Sequence, residues 1–174
     1  MKVLHFVKLG IYIAIGVLLA IFRDFIIENL SFTVPAIFIL YGVEAIGFTI
    51  FYHPKDFYLQ HRFYWGIVEF LLGVVVLAAI IDFETVCIVW AIWSILREAE
   101  EIRDAVQTFD SVITSIISIV TGIIHVVFSV LLIIHPGPHH AMTHLYLLIV
   151  ELAVASSIPI IDYYLYKIDY KDRV

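Results

Sequence analysis

Six stretches of about twenty mostly apolar residues make up most of this sequence, and they constrain its fold more than any other feature. A helix of that length crosses the roughly 30 Å hydrocarbon core of a bilayer. The composition agrees, because 63% of the residues are hydrophobic, whereas soluble domains contain about 45–50%. The sequence therefore predicts a membrane protein with six spans. Their expected positions are residues 9–27, 33–52, 63–81, 85–104, 111–134 and 145–166.

The spans are predicted to be α-helices, which makes the fold class all-α. None of them alternates apolar and polar residues as a transmembrane β-strand does. A helix satisfies its backbone hydrogen bonds within one segment, as hydrocarbon requires. Because the connections are short, consecutive helices are expected to form three antiparallel hairpins. We expect residues 1–174 to form a single six-helix transmembrane domain, whose first helix is retained and not cleaved as a signal peptide.

Basic residues predict how this bundle is oriented. Nine of the ten Lys and Arg residues fall at span ends on one side of the membrane, and Arg23 falls on the other. Positive residues concentrate in cytoplasmic loops, so both termini are predicted to be cytoplasmic. The nine residues are Lys2, Lys8, Lys55, Arg62, Arg97, Arg103, Lys167, Lys171 and Arg173.

Glycine and tryptophan motifs give the chain a resemblance to a known family. Trp65 opens the segment WGIVEFLLGVVVL, and GIIHVVFSVLLIIHPGP ends the fifth span at Pro136. With a glycine in each odd-numbered span and both ends inside, nearly the whole chain resembles the HdeD-type family of small acid-resistance membrane proteins. The resemblance implies an inner-membrane protein connected with survival at low pH. It carries over no catalytic site.

Ionisable side chains inside the spans are the most informative chemistry in the sequence. A charge at the bilayer centre costs at least about 2.5 kcal/mol unless protonation, pairing or water relieves it. Glu44, Glu69 and Glu151 lie within spans whose interiors contain no lysine, so basic partners are scarce. We predict a buried protonatable cluster. Its expected members are Glu44, Glu69, Arg97, Glu98, His125 and Glu151.

Small and polar residues recur along the fifth span at steps of three and four, which places them on one helix face. This face is either a packing seam with a neighbouring helix or the wall of a hydrated cavity, which a histidine at this depth favours. The acids also have two readings, because a neutral glutamic acid can instead donate one hydrogen bond that joins two helices. The seam comprises Ser111, Ser115, Ser118, Gly122 and Ser129, together with His125.

The ten-residue segment HPGPHHAMTH is predicted to be a loop on the outer side of the membrane. Imidazoles change charge between about pH 5 and 8, so this loop is expected to respond to pH. Metal capture and an ordinary polar turn are the alternatives. His144 is expected at a different depth from His125, which argues against a haem held between them. The loop histidines are His135, His139, His140 and His144.

The sequence contains no motif for a nucleophile, a phosphate loop, a metalloprotease or a nucleic-acid surface. We therefore expect a non-enzymatic protein without cofactor, resident metal or nucleic-acid partner, whose buried cluster senses or conducts protons. One alternative is a subunit resembling the substrate-binding component of an energy-coupling vitamin transporter, and another is a structural assembly partner. The expected partners are the lipid bilayer and either a second copy of the chain or another membrane protein.

Overall fold

The computed structural model describes residues 2–79, 81–108 and 112–166 of the chain. Every regular element among those residues is a helix, which confirms the predicted all-α class. A 3₁₀ turn, Phe57–Leu59, lies between the third and fourth α-helices. The helices α1 to α7 span Lys2–Ile21, Arg23–Glu28, Leu30–Tyr52, His61–Ala79, Phe83–Thr108, Val112–Ile134 and Pro138–Tyr166.

Three helical segments among the described residues are long and apolar enough to cross a membrane. They are Leu30–Phe51 within α3, His61–Ala79 and Val112–Ile134, at the positions of the second, third and fifth predicted spans. Large apolar side chains are exposed on the first two of these segments, among them Phe51 at 78%, Leu40 at 68% and Val75 at 62%. Such surfaces suit lipid tails, which are as apolar as leucine. The three segments therefore indicate a membrane protein.

The segment predicted as an outer loop is mostly helical. Helix α7 begins at Pro138, so residues 135–137 alone connect it to α6. Proline suits the first turn of a helix, because its φ is already helical and its missing N–H needs no partner there. The prediction of a ten-residue loop is therefore wrong, and His139, His140 and His144 lie on a helix.

The described chain divides into two compact units. One comprises Met1–Ile27 and Cys87–Val174, and it contains α1, α6, α7 and the greater part of α5. Within it, α7 packs against both α1 and α6. The other unit comprises Glu28–Val86 and is built mainly from α3 and α4, which pack against each other.

Glycines let the backbones of α3 and α4 come into contact. A Cβ atom at Gly42 would lie 2.5 Å from the backbone nitrogen of Phe70 and 2.6 Å from the carbonyl oxygen of Gly66. A Cβ atom at Gly73 would lie 2.7 Å from the carbonyl oxygen of Pro35. Helices in hydrocarbon associate through such close approaches of small residues. The α3–α4 pair is therefore stabilised mainly by packing.

Asp82 defines the start of α5. Its Oδ1 accepts a hydrogen bond from the backbone N–H of Thr85 at 2.8 Å, and its Oδ2 accepts one from the Thr85 hydroxyl at 3.0 Å. These bonds favour the ionised carboxylate and hold the pKa of Asp82 below its usual value. A capped N-terminus explains why α5 begins at Phe83, two residues before the predicted span.

Candidate functional site

Three helices each contribute one ionisable side chain to the interior of the larger unit. Nδ1 of His125, on α6, lies 2.9 Å from Oε1 of Glu98 on α5 and 2.9 Å from Oε2 of Glu151 on α7. Glu98 and His125 are each 4% exposed, and the side chain of Glu151 is 20% exposed. We call Glu98, His125 and Glu151 the acid–histidine cluster.

A glycine on α6 allows this approach. A Cβ atom at Gly122 would lie 3.1 Å from Oε2 of Glu98 and 2.9 Å from Cγ1 of Ile102. His125 follows Gly122 by three residues and therefore lies on the same helix face. The missing side chain leaves room for the Glu98 carboxylate beside the imidazole.

The cluster continues to a second histidine, His144, on α7. Nε2 of His125 lies 3.3 Å from Nε2 of His144, which in turn lies 3.0 Å from Oγ of Ser94 on α5. The ring of Trp90 packs edge-on against His144, with 4.6 Å between ring centroids. His144 is 1% exposed and Ser94 is 3% exposed. Groups that exchange protons thus follow one another from the two carboxylates across the His125 ring to Nε2 of His144, which also contacts the Ser94 hydroxyl.

The ring nitrogen that faces the two acids lacks an aligned hydrogen bond. Among the described residues, Nδ1 of His125 has no partner that meets hydrogen-bond geometry, although both carboxylate oxygens are within reach. Buried polar atoms in proteins are nearly always hydrogen-bonded, so such an atom needs an explanation. One donor atom from each of the three residues lies within 4.8 Å of the other two. The oxygens thus surround the nitrogen without lying on its hydrogen-bond axis, an arrangement that suits a shared cation.

The structure brings together three of the six residues predicted for the buried cluster. Arg97, although adjacent in sequence to Glu98, has its Nη2 atom 4.0 Å from Oε1 of Glu101. Its guanidinium also lies 5.8 Å from the centroid of the Trp93 ring, and its side chain is 33% exposed. Arg97 thus contacts Glu101 and Trp93 of its own helix.

The two remaining acids lie in the unit formed by residues 28–86. Nη2 of Arg62 donates to both carboxylate oxygens of Glu44 at 2.8 Å, and the Glu44 side chain is 55% exposed. Glu44 thus forms an exposed ion pair where the sequence predicts burial. Glu69, on α4, is 1% exposed. Arg62 lies at the start of α4 and Glu44 lies on α3, so this ion pair joins the two helices.

Most residues of the predicted seam on α6 are buried. Ser115, Gly122, His125 and Ser129 are buried, and Ser118 is half-buried. Oγ of Ser129 donates to the carbonyl oxygen of His125 at 2.9 Å, so it bonds within its own helix. Ser111 lies outside the described residues. The buried seam residues thus surround the acid–histidine cluster along one face of α6.

The four loop histidines separate into two groups. His135 and His139 are exposed and His140 is half-buried, and the ring of His140 lies 5.9 Å from that of His135 and 5.5 Å from that of His139. His144 instead belongs to the interior path. The expectation that His144 and His125 lie at different depths is wrong, because two of their nitrogens are 3.3 Å apart. That separation also leaves no room for a haem iron between those two atoms.

Ser94 and His144 are the site residues that the sequence-based prediction of the cluster omits. Ser94 precedes Glu98 by four residues, and His144 precedes Glu151 by seven, so each shares a helix face with a cluster acid. These spacings could have identified Ser94 and His144 as cluster residues from the sequence. For His144 the signal is visible only when residues 138–144 are assigned to a helix.

Comparisons of the chain with models of protein families, with curated proteins and with solved structures return no match. The geometry of the acid–histidine cluster is therefore the main guide to function.

Proposed function

We propose that the chain is an HdeD-type, multi-pass protein of the inner membrane whose acid–histidine cluster senses or conducts protons. It crosses the membrane six times, has both termini in the cytoplasm and acts without enzymatic chemistry. The three long apolar segments support the membrane location. The distribution of Lys and Arg supports the orientation.

The path of exchangeable groups through His125 carries this proposal. Its Nδ1 lies 2.9 Å from both carboxylates and its Nε2 lies 3.3 Å from His144. An imidazole can accept a proton at one ring nitrogen and release a proton from the other. His125 is therefore placed to pass protons between the acids and His144.

The surroundings of the path favour a functional role over a purely structural one. Ionisable groups within membrane helices are rare and mark proton relays and ion pathways. A structural hydrogen bond between helices needs only one such group, whereas here three helices contribute two acids and two histidines. Four ionisable side chains in one buried network are more than helix association requires.

Proton conduction is tested by reconstituting the full chain in liposomes and applying a pH step across the membrane. We expect flux above that of protein-free liposomes in the wild type and near the protein-free level in Glu98→Gln, His125→Gln and Glu151→Gln. Glu44→Gln is the matched control, because it makes the same substitution at an exposed carboxylate outside the cluster, and it should conduct like the wild type. Wild-type flux equal to that of protein-free liposomes would exclude conduction.

Proton sensing has its own reporter in Trp90, whose ring contacts His144. If the path takes up protons, tryptophan fluorescence in detergent should change with pH, and the change should be lost in Trp90→Phe and in His125→Gln. Fluorescence that is independent of pH, combined with protein-free levels of flux, would overturn the proposed function as a whole.

A further inference from the structure

We propose that the acid–histidine cluster binds one divalent transition-metal ion, with Glu98, His125 and Glu151 as its protein ligands. This site is not among the expectations from the sequence, which predicts no resident metal. The inference goes beyond the proposed proton function and does not depend on it, because an ion can bind whether or not protons move.

The distances between the donor atoms are close to those of a coordination shell. Zinc binds imidazole nitrogen at about 2.0–2.1 Å and carboxylate oxygen at about 2.0–2.2 Å, so neighbouring ligand atoms lie roughly 3–3.5 Å apart. Nδ1 of His125 lies 2.9 Å from an oxygen of each glutamate, and the three donor atoms lie within 4.8 Å of one another. Small rotations of the two carboxylates would adjust these distances to one ion.

The buried nitrogen supplies an independent observation. His125 is 4% exposed, and its Nδ1 faces the acids without an aligned hydrogen bond among the described residues. A hydrogen bond would place one oxygen along the N–H direction, whereas a metal ion occupies that direction and displaces its other ligands to the sides. Oxygens that are close to Nδ1 but off its axis correspond to the second arrangement.

Charge and donor type indicate the class of ion. Two carboxylates and a neutral imidazole carry two negative charges, so a divalent ion makes the buried site neutral and removes the cost of two like charges in hydrocarbon. Imidazole selects transition metals over Mg²⁺ and Ca²⁺, and carboxylates select against Cu(I). A mixed set of one nitrogen and two oxygens therefore suits Zn²⁺ and its neighbours in the first transition row.

The second nitrogen of His125 has the environment that a metal ligand requires. Metal-bound histidines almost always donate their other N–H to a nearby acceptor, which orients the ring. Nε2 of His125 lies 3.3 Å from Nε2 of His144, and Oγ of Ser94 lies 3.0 Å from that same His144 nitrogen. His144 can accept from His125 at Nε2 when its own proton is on Nδ1, which has no hydrogen-bond partner among the described residues. His144 is thus a positioning residue for the metal ligand.

Zinc binding is tested with the full chain, purified in detergent without a polyhistidine tag and first stripped of metal by a chelator. We expect one Zn²⁺ per chain after dialysis. Glu98→Gln, His125→Gln and Glu151→Gln should each bind at least about tenfold more weakly, and His144→Gln about 10- to 100-fold more weakly, the range for outer-shell partners. Co²⁺ substitution should produce a d–d absorption band that is lost in the same variants.

Two controls separate this site from adventitious binding. The double variant His139→Gln/His140→Gln removes two imidazoles outside the cluster, and Glu44→Gln removes an exposed carboxylate. Both should retain one tightly bound Zn²⁺. The inference is overturned if the wild type retains no zinc, or if zinc is lost in the His139/His140 variant and kept in the cluster variants.

Folding of each variant is checked by its helical circular dichroism and gel-filtration profile. If His125→Gln does not fold, the nearly isosteric glutamine variants of Glu98 and Glu151 decide the outcome. Proton flux is measured separately in chelator-treated, metal-free buffer. Zinc binding without flux would support the metal site alone, and flux without zinc binding would support the proton path alone.

Discussion

Carboxylates contact a basic side chain at nearly equal distances in two regions of this protein, but in opposite environments. Arg62 and Glu44 are 2.8 Å apart with side chains 52% and 55% exposed, whereas His125 lies 2.9 Å from two glutamates with its side chain 6% exposed. Pairs exposed to water contribute about 0–1 kcal/mol to stability, but breaking a buried pair costs about 3–5 kcal/mol. Burial, not contact distance, therefore distinguishes the candidate functional site from an ordinary ion pair here.

The two regions also differ in what their glycines touch. Gly42 and Gly73 face backbone atoms of the opposite helix, so α3 and α4 are held by packing. Gly122 faces side-chain atoms of Glu98 and Ile102. A glycine in the first region determines how close two helices come, whereas the glycine in the second region makes room for a polar side chain.

The largest effect on stability is expected from His125→Leu. Removing the imidazole leaves the two glutamates without their cationic or metal-binding partner in a buried site, which should lower the free energy of unfolding by about 3–5 kcal/mol. Denaturant unfolding in detergent, followed by circular dichroism, measures the change. A loss no greater than that of Glu44→Gln would remove the distinction between the two environments.

The next largest effect is expected from Gly42→Ala. The new Cβ would lie 2.5 Å and 2.6 Å from backbone atoms of α4, which cannot rotate away, and overpacking typically costs about 1–3 kcal/mol. Gly47→Ala is the matched control on the same helix, because no described atom beyond its own helical turn lies within 4 Å of its Cβ position. That control should be neutral or slightly stabilising, since alanine favours helix. Equal stability of the two variants in thermal unfolding would contradict the close packing of α3 and α4.

A smaller effect on stability is expected from Gly122→Ala. Its Cβ would meet flexible side-chain atoms, which can shift by a few tenths of an ångström, so the loss should be about 1 kcal/mol or less. The displaced Glu98 carboxylate should nevertheless weaken Zn²⁺ binding or proton flux measurably. A variant with unchanged stability, flux and metal affinity would show that Gly122 does not position Glu98.

The smallest effect is expected from Arg62→Gln. This change removes the exposed pair with Glu44, so the free energy of unfolding should change by at most about 1 kcal/mol. Thermal unfolding in parallel with His125→Leu measures the contrast directly. A loss comparable to that of His125→Leu would indicate that the Glu44 pair is buried in the membrane-embedded protein.

The helices were more predictable than the site. The apolar segments of α3, α4 and α6 follow from the length of each hydrophobic run, which is a local property of the chain. The start of α7 was missed because the histidine-rich segment contains two prolines and a glycine, residues typical of loops. Pro138 instead begins a helix. That difference places His144 on the same helix as Glu151, in the interior and not on the surface.

The sequence by itself determined that this chain is helical and rich in membrane-compatible segments, and that its acids and histidines need partners. Which partner each acid has was decided by tertiary structure alone. Glu44 and Glu98 both lie in helices, but only the positions of Arg62 and His125 on other helices separate an exposed ion pair from a buried cluster. The physical reason is that helix formation depends on neighbours in sequence, whereas the electrostatic environment of a charge depends on residues far away in the chain.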